Sequence, residues 1–182
     1  MSTKRYFDSF FGTLVFGALA AIAWPAWALG LAALGFDTSL AGYLVGLSAV
    51  YVAGLAATPA RALGAALWAL GFGAAIAFLA RGPADVAIGV AVAIGLCRSG
   101  LLHARRPARA LLLELVLIAG GLLAARALAA PGLVGVSLAI WGFFLVQSLG
   151  FLIGGREPRG DAPTGLDPFD AARNQALELL ER

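Results

Sequence analysis

The stretch CRSGLLHARRPARALLLELVLIAGG, residues 97–121, decides the fold because it joins two apolar segments through a short basic turn. Four arginines and the single histidine of the chain fall within its first thirteen residues. After Arg109 the stretch is apolar except for one carboxylate, Glu114. A helix of about 20 apolar residues is long enough to cross a bilayer. The stretch therefore predicts the turn between two transmembrane helices.

The composition of the whole chain agrees with a membrane protein. Of the 182 residues, 61% are hydrophobic and 13% are charged, whereas a soluble domain is about 45–50% apolar and about 25% charged. An open strand in lipid would leave its backbone groups unpaired, so the membrane segments must be helical. We predict an all-α integral membrane protein whose net charge of +3 reflects membrane topology, with no nucleic-acid partner.

Six apolar segments are separated by short polar interruptions. They cover residues 10–34, 40–57, 62–80, 86–102, 108–128 and 133–153. Short connections favour antiparallel neighbours, so we expect a transmembrane domain over residues 1–154 built as a bundle of six helices in three antiparallel hairpins.

The distribution of basic residues predicts the orientation of this bundle. Only Arg81 and Arg126 lie on one side of the predicted membrane domain. Nine lie on the other: Lys4, Arg5, Arg61, Arg98, Arg105, Arg106, Arg109, Arg156 and Arg159. Both termini are therefore expected in the cytoplasm. Twelve of the thirteen basic residues are arginine, which with the abundant Ala and Gly is typical of a GC-rich bacterial genome, so we expect a multi-pass protein of the bacterial inner membrane.

The tail of the chain is polar. Residues 155–166 are expected to be a linker, and residues 167–182 a short cytoplasmic amphipathic helix, because Asp167 is a good N-cap and Pro168 fits the first helical position. Its apolar face would comprise Phe169, Ala172, Ala176, Leu179 and Leu180. This helix carries four acids and two arginines, so we expect it to dock on a basic surface or another protein.

The basic loop of the quoted stretch is one such surface. It comprises His103, Arg105, Arg106 and Arg109. These side chains would attract anionic lipid head groups, at about 1 kcal/mol per basic residue, or receive the tail helix. The alternative is that the loop is only a topological signal.

Glu114 is the strongest candidate for a functional group, because an ionisable residue inside a membrane segment is costly. A hairpin turning near residue 106 brings Arg98 level with Glu114, and a turn near residue 130 brings Gln147 level too. The three side chains would meet about 9 Å inside the cytoplasmic end, at 1.5 Å rise per residue. One interpretation is a structural pair, and the other is a carboxylate linked to proton or ion movement.

The chain lacks the motifs of hydrolases, zinc proteases, nucleotide-binding loops and dinucleotide-binding folds. We therefore expect no enzymatic activity, no cofactor and no metal. The leading hypothesis is an accessory or scaffold subunit that binds membrane lipids and docks a membrane or cytoplasmic protein through its bundle and tail helix. The alternative is a small transporter or channel that uses Glu114, and a membrane enzyme acting on lipids is the least supported hypothesis.

Overall fold

The computed structural model describes residues 9–56, 58–102 and 107–153, and the side chains of these except residues 100–110. These residues form six α-helices and no β-strand. The helices are α1 (Phe10–Gly30), α2 (Phe36–Leu55), α3 (Pro59–Leu79), α4 (Pro83–Leu102), α5 (Pro107–Leu128) and α6 (Leu133–Ile153). The all-helical fold class predicted from the sequence is confirmed.

Proline and hydroxyl residues determine where several helices begin. The Ser9 hydroxyl accepts a hydrogen bond from the Gly12 amide at 3.1 Å and caps α1. Helices α3, α4 and α5 each begin at a proline, because the first helical residue needs no amide donor. These starts lie one to three residues before those predicted from the apolar runs.

The connection between the first two helices differs from the prediction. Helix α1 ends at Gly30, a 3₁₀ turn covers Ala32–Leu34, and α2 already begins at Phe36. The predicted end of the first helix at residue 34 and the predicted start of the second at residue 40 are therefore wrong. Asp37 lies in the first turn of α2, where a negative charge is favoured by the helix dipole, and Gly35 supplies the positive φ of 83° that the turn requires.

Helices α1 and α2 run antiparallel, as their contacts show. These contacts join Thr13 with Tyr51, and Ala20 with Tyr43. Within the bundle, α1 has its largest contact with α6 rather than with α2. Gly17 permits this close approach, since a Cβ there would collide with Phe144.

Aromatic side chains fill the interface where α1, α2 and α6 meet. The ring of Phe144 lies 5.1 Å from that of Phe16 and 5.2 Å from that of Tyr51, centroid to centroid. All three side chains are buried. Such edge-to-face contacts add to the stabilisation from buried area, so this trio anchors α1 to the rest of the bundle.

Helices α1, α2, α3, α5 and α6 are each long and apolar enough to cross a membrane. Large apolar side chains remain exposed around the bundle, including Phe11, Phe78 and Val134. A water-soluble protein rarely exposes large contiguous apolar patches. The structure thus supports a multi-pass membrane protein with several spanning helices.

Candidate functional site

A cluster of buried polar side chains lies where α4, α5 and α6 meet. Arg98 comes from α4, Glu114 from α5 and Gln147 from α6, and their exposed fractions are 2%, 3% and 0%. The three residues proposed from the sequence as one intramembrane cluster therefore lie together in the structure.

Arg98 and Glu114 form a two-pronged ion pair. Nε of Arg98 donates to Oε1 of Glu114 at 2.6 Å, and Nη2 donates to Oε2 at 2.6 Å. The planar guanidinium matches the carboxylate in this arrangement, which makes such pairs strong and geometrically specific. Both carboxylate oxygens are bound, so the buried negative charge is compensated where it lies.

Gln147 joins the cluster through its main-chain carbonyl, whereas its side chain bonds to α5. Nη1 of Arg98 donates to the main-chain carbonyl of Gln147 at 3.1 Å. The Gln147 side chain instead donates from Nε2 to the carbonyl of Leu117 at 3.1 Å. Arg98 thus bonds α4 to both α5 and α6, and Gln147 bonds α6 to α5.

Two further polar residues border the cluster. The hydroxyls of Thr13 in α1 and Tyr51 in α2 lie 3.4 Å apart, and both residues are fully buried. Tyr51 interacts electrostatically with the Arg98 guanidinium. Neither residue was selected from the sequence. Thr13 and Tyr51 share a depth across a turn near residue 32, by the same helical geometry that places Arg98 level with Glu114.

Two glycines lie beside the ion pair, and a side chain at either would collide with Ile118 or Leu117 rather than with the charged groups. A Cβ at Gly95 would lie 3.4 Å from Oε2 of Glu114 and 2.6 Å from Cδ1 of Ile118. A Cβ at Gly150 would lie 3.5 Å from Nη2 of Arg98. The Phe151 ring covers the guanidinium with its centroid 6.0 Å from Cζ of Arg98, a distance at which a cation–π attraction operates.

The arrangement fixes helix positions rather than offering a free reactive group. All three guanidinium nitrogens of Arg98 donate to named acceptors. A buried ion pair of this kind is costly to break, because removing one partner leaves the other charge desolvated. The cluster can therefore act as a polar clamp that specifies how α4, α5 and α6 pack.

Other residues singled out from the sequence lie outside the described part of the chain. They are His103, Arg105 and Arg106 of the basic loop and Phe169, Ala172, Ala176, Leu179 and Leu180 of the tail helix. Arg109 falls within α5, but its side chain is not among those described. The linker at residues 155–166 and the tail helix at residues 167–182 also lie outside the described ranges.

Within those ranges, no group of three or more His, Cys, Asp or Glu side chains is placed to hold a metal ion. The only carboxylate in the buried cluster described above is Glu114, and Arg98 holds both of its oxygens. Comparison with known proteins finds no matching family model, no similar curated protein and no similar solved structure.

Proposed function

We propose that this protein is a non-enzymatic accessory or scaffold subunit of a bacterial inner membrane, which docks a membrane helix of a partner protein. The observation that carries the proposal is the position of α3. Among the described residues, the main contacts of this helix are with α2 and α4, and Ala69 and Gly73 are its buried residues. Ala65 and Ala77 are partly buried against the core, and the side of the helix opposite Ala69 and Gly73 is exposed.

The open side of α3 has the character of a helix-docking face. Ala60, Gly64, Gly71 and Ala75 are exposed and fall on one side of the helix, opposite Ala69 and Gly73. The larger side chains of Leu67 and Trp68 are exposed on the same side, between the two glycines. A Cβ at Gly64 or Gly71 would meet no other atom within 4 Å. Small residues in a membrane helix let a second backbone approach closely, which is how van der Waals contact drives helix association in lipid.

The ion pair in the cluster supports this proposal over the alternative of a transporter or channel that uses Glu114. A transport carboxylate must exchange its partners during the cycle, whereas both oxygens of Glu114 are bound to one guanidinium that α6 also holds. Breaking that pair inside the bundle leaves two desolvated charges.

The proposal includes six spanning helices, with α4 as the sixth, and cytoplasmic termini. Arg81 and Arg126 are basic residues at one end of the bundle. Arg61 lies at the opposite end, and the basic loop comes in the sequence directly after α4 ends there. This asymmetry supports the orientation under the positive-inside rule. The tail helix would add a second, cytoplasmic docking element.

The orientation predicts which loops a membrane-impermeant thiol reagent reaches. With Cys97 replaced by alanine, a cysteine introduced at Gly82 is expected to react in intact cells, whereas one introduced at Thr58 should react only after the membrane is opened. Thr58 and Gly82 lie at opposite ends of α3, so the two variants control each other. Equal reaction in intact cells would contradict the proposed topology.

Docking through α3 predicts that a bulky side chain on its open face releases the partner. Membranes containing the Gly64→Leu/Gly71→Leu variant should yield a co-purified partner at a level lowered at least about tenfold, because leucine prevents close backbone approach. Gly46→Leu on α2 is the matched control, since a Cβ there also meets nothing within 4 Å. The comparison is made by affinity purification and quantitative mass spectrometry.

Three results would overturn docking through α3. The first is equal recovery of the partner with Gly64→Leu/Gly71→Leu and with Gly46→Leu. The second is loss of the partner from the Gly46→Leu control alone, and the third is recovery of nothing but a second copy of this chain. Removal of residues 167–182 measures the contribution of the tail separately, and unchanged recovery would exclude the tail helix from docking.

A further inference from the structure

An apolar cavity of about 450 Å³ lies between α2, α4, α5 and α6, and Arg98, Glu114 and Gln147 do not line it. Its lining begins near Pro83, Arg126 and Ala129 at the ends of α4 and α5 and reaches Ile94 and Phe144 in the middle of the bundle. The volume falls within the range of roughly 300–1,000 Å³ typical of ligand sites. This space is not used by the proposed docking face on α3.

The chemistry of the lining restricts what the interior of the cavity accepts. Only Ser48 and Arg126 are polar among the side chains that line it. The Ser48 hydroxyl already donates to the Val45 carbonyl at 2.7 Å. The inner part of the cavity therefore offers no unpaired side-chain hydrogen-bonding group, and apolar cavities without polar partners do not hold water well. Its complementary occupant is hydrocarbon.

The length of the cavity matches one leaflet of a bilayer. Pro83 and Ile94 are eleven residues apart on α4, which corresponds to about 16 Å along the helix. Half of a bilayer hydrocarbon core is about 15 Å thick. An acyl chain that enters at the Arg126 end would thus reach the middle of the membrane at Ile94.

The single charge in the lining selects the head group. Arg126 is exposed and lies in the last turns of α5, at the same end of the cavity as Pro83. Among the residues that the structure describes, no carboxylate lines the cavity. Asp85 lies near this end but outside the lining, where one of its oxygens accepts a hydrogen bond from the Arg81 amide at 2.9 Å. The mouth of the cavity is therefore cationic.

We propose that this cavity is a binding site for an anionic phospholipid, whose acyl chain fills the space between α2, α4, α5 and α6 and whose phosphate lies against Arg126. The lipid comes from the leaflet on the Arg126 side of the membrane. The site is independent of the proposed scaffold role, because it shares no residue with the docking face on α3.

The test is native mass spectrometry of the full chain with phosphatidylglycerol or phosphatidylcholine of identical acyl chains. Wild type is expected to retain phosphatidylglycerol in preference to phosphatidylcholine. Arg126→Gln should weaken phosphatidylglycerol binding by about fivefold, the factor associated with one basic residue at a membrane surface. Arg81→Gln, which removes an exposed arginine at the same end, is the matched control and should leave binding unchanged.

Filling the cavity tests the place of the acyl chain. Ala87→Phe inserts a ring into the lining and should lower retention of both lipids, whereas Ala119→Phe on the exposed side of α5 should not. If Ala87→Phe fails to fold, Ala139→Phe fills the same cavity from α6. Equal binding of the two lipids by wild type, equal effects of Arg126→Gln and Arg81→Gln, or undiminished binding by the folded cavity-filling variant would each overturn the proposal.

Discussion

Replacement of Glu114 by leucine is expected to destabilise the folded bundle by about 3–5 kcal/mol, because the Arg98 guanidinium would remain buried without its carboxylate. The exposed fraction of the Arg98 side chain is only 3%, so rearrangement toward solvent requires the helices to move apart. The free energy of unfolding is measured in detergent micelles by denaturant titration, and thermal unfolding followed by tryptophan fluorescence gives a second readout.

The double variant Arg98→Leu/Glu114→Leu tests whether the instability of Glu114→Leu comes from the unpaired charge of Arg98. Removing both partners leaves no unpaired charge, and replacement of a buried pair by apolar side chains is often neutral or stabilising. We therefore expect the double variant to recover most of the stability lost in Glu114→Leu. The Gln147 carbonyl loses one donor from Arg98, so recovery should be incomplete.

The same residues decide between the scaffold and transporter hypotheses. Under the scaffold proposal, Glu114→Gln loses stability, and neither wild type nor the variant carries protons across liposome membranes. Proton flux by wild type that disappears in a folded Glu114→Gln protein would overturn the clamp interpretation. A Glu114→Leu protein as stable as wild type would also contradict the clamp, because the ion pair would then not stabilise the bundle.

Helical geometry explains why the ion pair could be predicted from the sequence. Two helices joined by a short turn must run antiparallel, and a constant rise of 1.5 Å per residue then sets which positions share a depth. Arg98 and Glu114 are separated by sixteen residues around one such turn, and the structure places their charged groups in direct contact. The same geometry holds for α5 and α6, where Gln147 contacts Leu117.

The remaining features depend on contacts between helices that are distant in the chain. The contact between α1 and α6 is the largest between the described helices. The position of each residue along its helix does not specify which helices become neighbours in the bundle. The start of α2 was predicted too late for a local reason. Asp37, Thr38 and Ser39 are polar residues typical of loops, but such residues also stabilise the first turn of a helix. The cavity beside α4 likewise arises from nonsequential packing.

Replacement of Gly17 by leucine is expected to destabilise the bundle by about 3 kcal/mol, the upper part of the range for overpacking a close-packed interior. Gly17 is buried in α1, and a side chain there would enter the space of the Phe144 side chain on α6. Phe144 has little freedom to move, because its ring also packs against Phe16 and Tyr51. The clash must therefore separate α1 from α6, and Thr13 would move with α1 away from the border of the polar cluster.

The effect of Gly17→Leu is measured beside Gly46→Leu, because a Cβ at position 46 meets no atom within 4 Å. Both changes remove a glycine from a helix, which by itself favours folding by up to about 1 kcal/mol. A stable Gly46→Leu protein and an unstable Gly17→Leu protein would show that the close approach of α1 to α6 holds the bundle together. Similar stabilities would mean that Phe144 repacks, and the contact between these helices would then not depend on a glycine.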